Sequence, residues 1–80
     1  MRIISIETLT DVDYEKHYLC YRPYRNKSGE EKHALIAKSV YGPSGESVLA
    51  SRNSRKEIEQ IILKIGSSFT QGKAVHIIEN

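Results

Sequence analysis

Cys20, the three histidines, His17, His33 and His76, and the ten carboxylates are the side chains in this sequence whose types could attack a carbonyl, shuttle a proton or hold a metal. A thiol becomes a nucleophile when an imidazole within hydrogen-bond reach takes its proton. His17 and Cys20 stand three apart on a stretch that reads as a strand, where side chains alternate between faces, so the two project to opposite sides. The histidines show no H-x-x-x-H spacing and there is no second cysteine, so a metal site would need ligands from scattered positions. Gly42-Pro43-Ser44-Gly45 and Gly66-Ser67-Ser68 match neither phosphate-binding glycine pattern, and Pro43 removes an amide donor that a phosphate would need. The expectation is a protein that is not an enzyme and carries no cofactor or metal.

A different chemistry is written into residues 17–25. Tyr18, Tyr21, Arg22, Tyr24 and Arg25 interleave aromatic and cationic groups along one strand, Lys27 follows in the turn, and Lys32 and Lys38 lie on the next apolar run. Such a surface suits a protein interface, where tyrosine and arginine are the enriched anchors. It also suits nucleic acid, with rings stacking on bases while cations track phosphates. Arg52 and Arg55 flank the start of a helix, where the backbone dipole already favours an anion, and so join the candidate binding set.

The elements that position these residues can be read from spacing. Residues 2–9 are β-branched and short and predict a first strand, with the polar residues 10–13 as the loop after it. Residues 17–25 put Tyr18, Cys20, Arg22 and Tyr24 on one face; Pro23, lacking an amide donor, belongs on an edge, at a bulge or near the strand end, so the outer half of this strand is a poor candidate for the sheet centre. Asn26-Lys27-Ser28 matches a glycosylation sequon but reads as a polar turn leading to a strand over 32–41. The Gly42–Gly45 turn then gives a short strand over 46–52, completing a meander. Ser54 and Glu57 have capping-box spacing, and Ile58, Ile61, Ile62 and Ile65 follow at helical intervals, with Gly66 as the expected stop. Residues 73–78 predict a last strand. The expected fold is α+β: an antiparallel meander with one amphipathic helix on one face, in ββββαβ order, as a single domain over 1–80.

Composition sets the outer limits. Eighty residues hold one core, and the chain is 39% hydrophobic and 28% charged, ordinary globular values. No run nears the roughly 20 apolar residues that span a bilayer, and the N-terminal segment turns polar too soon for a signal peptide. With one cysteine and so no internal disulfide, a reducing cytoplasm is the expected location. The net charge of +2 is unevenly spread. Residues 1–15 carry Arg2 against Glu7, Asp11, Asp13 and Glu15, whereas six cations oppose Glu30 and Glu31 over residues 16–38. Such polarity can steer an oppositely charged partner.

In layout, Met1 to Ile65 resembles the small anti-CRISPR inhibitors encoded by phages: an apolar opening strand, a tyrosine-bearing strand, two hairpins, Ser47-Val48-Leu49-Ala50 and a capped helix. That resemblance implies a small protein that blocks a larger one. The leading expectation is therefore a non-catalytic, protein-binding regulator or inhibitor that uses Tyr18, Arg22, Tyr24, Arg25, Lys27, Arg52 and Arg55, over about 800 Å² per partner. The alternative is a nucleic-acid-binding sheet laid out like the N-terminal domains of some phage integrases. It is weakened by the modest net charge and the acidic first fifteen residues. Convergence of Arg52 and Arg55 with the tyrosine strand would favour it, and dispersal of the cations over both faces would not. A homodimer through sheet edges is compatible with either reading.

Overall fold

The computed structural model describes residues 1–42 and 45–79. The chain runs β1 (Arg2–Ser5), β2 (Thr10–Asp13), a single 3-10 turn (Tyr14–Lys16), β3 (His17–Arg25), β4 (Glu31–Ser39), β5 (Glu46–Arg52), α1 (Arg55–Thr70) and β6 (Val75–Ile78). The class is α+β, as expected, with the strands divided between two three-stranded sheets. One is the antiparallel meander β3-β4-β5; the other has order β2-β1-β6, in which β1 pairs antiparallel with β2 and parallel with β6.

Residues 10–13, expected to be a loop, form a strand instead. Only Val12 in this segment is apolar, and it is buried opposite Ile3. The partner strand and one buried side chain, rather than local propensity, therefore make this a strand. The turn before it passes through Leu9, whose backbone lies in the left-handed region at φ 53° with its side chain in solvent. Asp13 then caps the 3-10 turn, accepting from the backbone N–H of Glu15. A hydrogen bond with the Glu15 side chain, followed by that backbone contact, holds the Asp13 carboxyl below its ordinary value.

The helix begins as its cap predicts: Ser54 Oγ accepts from the Glu57 N–H at 3.3 Å, and the Glu57 carboxylate accepts from the Asn53 N–H at 3.1 Å. Gly66 does not stop it. The helix continues to Thr70, because Ser68 is buried against β6 and Phe69 packs on Tyr14 in a tilted ring contact with centroids 4.9 Å apart, contacts that offset the roughly 1 kcal/mol cost of a mid-helix glycine. The stop is Gly72, at φ 75°, where the Gly72 N–H donates to the Phe69 carbonyl and the Lys73 N–H to the Ser68 carbonyl.

Ile58 and Ile65 are fully buried, with Ile61 and Ile62 packed beside them, against Leu35, Ala37, Leu49 and Ala50 of the meander and Ile3, Val12 and Ile78 of the smaller sheet. One helix thus closes both sheets into one core. The sheets are also fastened directly. The buried Ser5 hydroxyl donates to the Leu49 carbonyl, and the Glu7 carboxylate accepts from the Ser51 N–H and from Arg52. The Gly42–Gly45 turn falls partly on Pro43 and Ser44, outside the described residues.

Candidate functional site: the outer face of the meander

Side-chain alternation sorts the meander into two faces. Leu35 and Ala37 on β4, with Leu19 and Tyr21 on β3, join the helix-side core. Tyr18, Cys20, Arg22 and Tyr24 therefore project to the face away from the helix, where they pair in register with Lys38, Ile36, Ala34 and Lys32. On the other side of β4, Glu46, Val48 and Ser51 complete this face opposite Lys38, Ile36 and Ala34.

The β5 positions change parity between Val48 and Ser51, because the ladder slips between Leu35 and Ile36. A bulge places Leu49 as an extra residue, so that Leu49 and the adjacent Ala50 can both be fully buried. The consecutive apolar residues Val48-Leu49-Ala50 are the sequence signal for it, and an unbroken alternation would have missed Ser51.

Ala34 and Ile36 lie on this outer face, yet are only 4% and 3% exposed. Among the described residues no second layer covers them. Their cover comes from long β3 side chains that cross β4: the Arg22 guanidinium reaches Glu46, and the Tyr24 hydroxyl meets Ser51 Oγ at 2.6 Å, both on β5. Beside these bridges, Tyr18 and Val48 remain 52% and 46% exposed. A recess of about 180 Å³ opens at one end, lined by Tyr18, Lys38, Ser39 and Glu46 among others. The result is a pre-ordered surface of aromatic, aliphatic and paired charged groups, with small buried residues beneath.

The seven candidate binding residues do not converge. Tyr18, Arg22 and Tyr24 share the outer face. Lys27 sits beyond one end of it in the β3–β4 turn, whereas Arg25, the last residue of β3, alternates to the other side and donates to the Gly29 carbonyl at 2.9 Å. Asn26 Oδ1 organises that turn by accepting from the N–H groups of Ser28 and Glu30. Arg52 lies opposite His33 on the helix side and is held by Glu7 and by the Glu79 carbonyl, which makes it a fastener between the sheets. Arg55, also on the helix side, lies 5.3 Å above the Tyr21 ring and pairs with Glu59 at 3.3 Å. Among the described residues the arginines Arg2, Arg22, Arg52 and Arg55 each face a carboxylate, spread over both faces.

Each histidine is engaged locally through Nδ1: His17 with the Asp13 carbonyl at 2.8 Å, His33 with the Tyr21 hydroxyl at 2.6 Å, and His76 with the Ser68 hydroxyl at 2.7 Å. Cys20 is half-buried on the outer face, away from the helix side where His33 meets Tyr21. Among the described residues no cluster of three histidine, cysteine or acidic side chains has the arrangement to hold a metal, and no helix is long and apolar enough to cross a membrane.

His76 is expected to make the stability of the fold depend on pH. Burial, then the charges of Lys73 and Lys64, push its imidazole below the ordinary value of 6.5. The folded chain thus binds this proton less readily than the unfolded chain, so the stabilisation is full above about pH 6.5 and is lost as pH falls through the depressed value. The melting temperature is expected to drop between pH 7 and pH 5.5, and His76→Gln should flatten that slope in thermal melts. An unchanged slope in the variant would assign the drop to other groups.

No protein-family model, curated protein or solved structure matches this chain.

Proposed function

We propose that the protein is a non-catalytic binding protein that docks the outer face of its meander on another protein and so regulates or inhibits it, in the manner of small phage-encoded inhibitors. The observation that carries the reading is the make-up of this face. Tyr18, Tyr24 and Val48 are exposed, and the central arginine, Arg22, is already neutralised by Glu46. A nucleic-acid surface gains its affinity from cations free to replace the counterions of phosphates. Here Arg52 and Arg55 are turned to the helix side and paired, so they add nothing to the tyrosine strand. Rigid aromatic side chains on a pre-ordered sheet suit protein recognition, because little side-chain entropy is lost on docking.

Two measurements test this. The first is binding to labelled single- and double-stranded DNA and RNA at two salt concentrations. No salt-sensitive binding is expected; tight binding that weakens steeply with salt and disappears in Arg22→Ala/Arg25→Ala would make the protein a nucleic-acid module instead. The second is affinity capture with the wild type beside Tyr18→Ala/Tyr24→Ala. A protein retained by the wild type should be lost from the variant, which stays folded in a thermal melt but at a lower midpoint because Tyr24 helps to cover Ala34, with each lost anchor costing about 1–2 kcal/mol or more of affinity. Equal capture by both would remove this face from the proposal.

A further inference from the structure

A second surface lies at the β6 edge of the smaller sheet. Among the described residues β6 pairs with β1 alone in the smaller sheet. The Arg2 N–H donates to the Ala74 carbonyl and the Ile6 N–H to the Ile78 carbonyl, so the ladder to β1 uses the even-numbered peptide groups of this segment. In a parallel ladder the groups of the intervening residues, Val75 and Ile77, then point away from β1, out of the sheet edge. Their side chains are 41% and 51% exposed. On the helix side this edge borders a trough of about 400 Å³ lined by Ile61, Lys64, His76 and Glu57 among others. An open edge flanked by exposed β-branched side chains is a template for another strand.

We propose that this edge pairs antiparallel with β6 of a second copy, about a two-fold axis at His76, to give a continuous six-stranded sheet. The occupant is specified by charge. Lys73 precedes β6 and Glu79 follows it, both exposed. A two-fold axis at His76 sets Val75 of each copy against Ile77 of the other, so that their outward N–H and carbonyl groups exchange hydrogen bonds. The same axis places Lys73 of each copy across from Glu79 of the other, joining opposite charges at both ends of the pair. Moving the axis to Val75 would set Lys73 against Ile77 and leave Glu79 unmatched. This edge is separate from the outer face of the meander, so the pairing does not depend on the function proposed above.

The test is sedimentation equilibrium on the intact protein, on Lys73→Glu, on Glu79→Lys and on the charge-swapped double variant, with thermal melts to confirm folding. A reversible dimer is expected for the wild type. Each single variant opposes like charges at both ends and should raise the dissociation constant about tenfold or more, and the double variant should return it to within about threefold of wild type. A wild type that stays monomeric at concentrations of several hundred micromolar would overturn the proposal. So would a dimer indifferent to the single changes, or a double variant that fails to recover.

Discussion

Leu35→Ala is expected to lower the free energy of unfolding by about 2–5 kcal/mol, the range for removing a large buried side chain from a core that collapses only in part. Leu35 is fully buried at the centre of β4, between Tyr21 on β3 and Ala50 on β5, and packs in the cluster that contains Ile58 and Ile65. With both strand neighbours in place and the helix above, little backbone can move to fill the space. A domain of this size has a total stability on the order of 4–12 kcal/mol, so this one change removes a large share of it. Urea unfolding reads the effect as a lowered midpoint at unchanged slope. A loss under about 1 kcal/mol would mean that the helix and meander do not share a tight core.

The second large effect is expected at Glu7. Its carboxylate serves the Ser51 N–H and the Arg52 guanidinium together, and the Glu7 and Arg52 side chains are only 18% and 22% exposed. Glu7→Ala leaves a backbone donor and a cation without their acceptor in a poorly hydrated place, at a cost of about 2–3 kcal/mol. The Arg22–Glu46 pair is the internal control. With 47% and 45% of those side chains exposed, Glu46→Ala should cost no more than about 0.5 kcal/mol. Chemical denaturation of both variants and of Arg52→Ala would show whether Glu7 and Arg52 are coupled. Comparable losses at Glu7 and Glu46 would refute the reading of Glu7 as a fastener between sheets.

Much of this architecture was legible because its signals are periodic and local. The isoleucines at helical spacing and the Ser54–Glu57 cap describe the start and buried side of α1, and period-two alternation assigns Tyr18, Arg22 and Tyr24 to one face. Features set by partners distant in sequence were not legible. The helix passes Gly66 because Tyr14 and His76 meet its last turn, and residues 10–13 become a strand because β1 lies beside them. Division into two sheets depends on the parallel pairing of β1 with β6, which nothing within either strand announces. The candidate site followed the same pattern. Its tyrosine strand could be read directly, whereas the β5 bulge and the carboxylate of Glu7 decided where Ser51 and Arg52 would go.

That parallel pairing also bears on the order in which the chain can assemble. Arg2 is registered with Val75 and Ser5 with Ile78, so the central ladder of the smaller sheet joins segments from opposite ends of the sequence. The hairpins of the meander close short loops, and α1 follows them directly; these contacts can form while the chain is still incomplete. During synthesis β1 emerges well before β6, with the short β2 to pair with in the interval, and the fully buried Ile3 stays without its final cover until residues 75–78 have left the ribosome. The meander is thus the expected early scaffold, and the smaller sheet the expected late clasp.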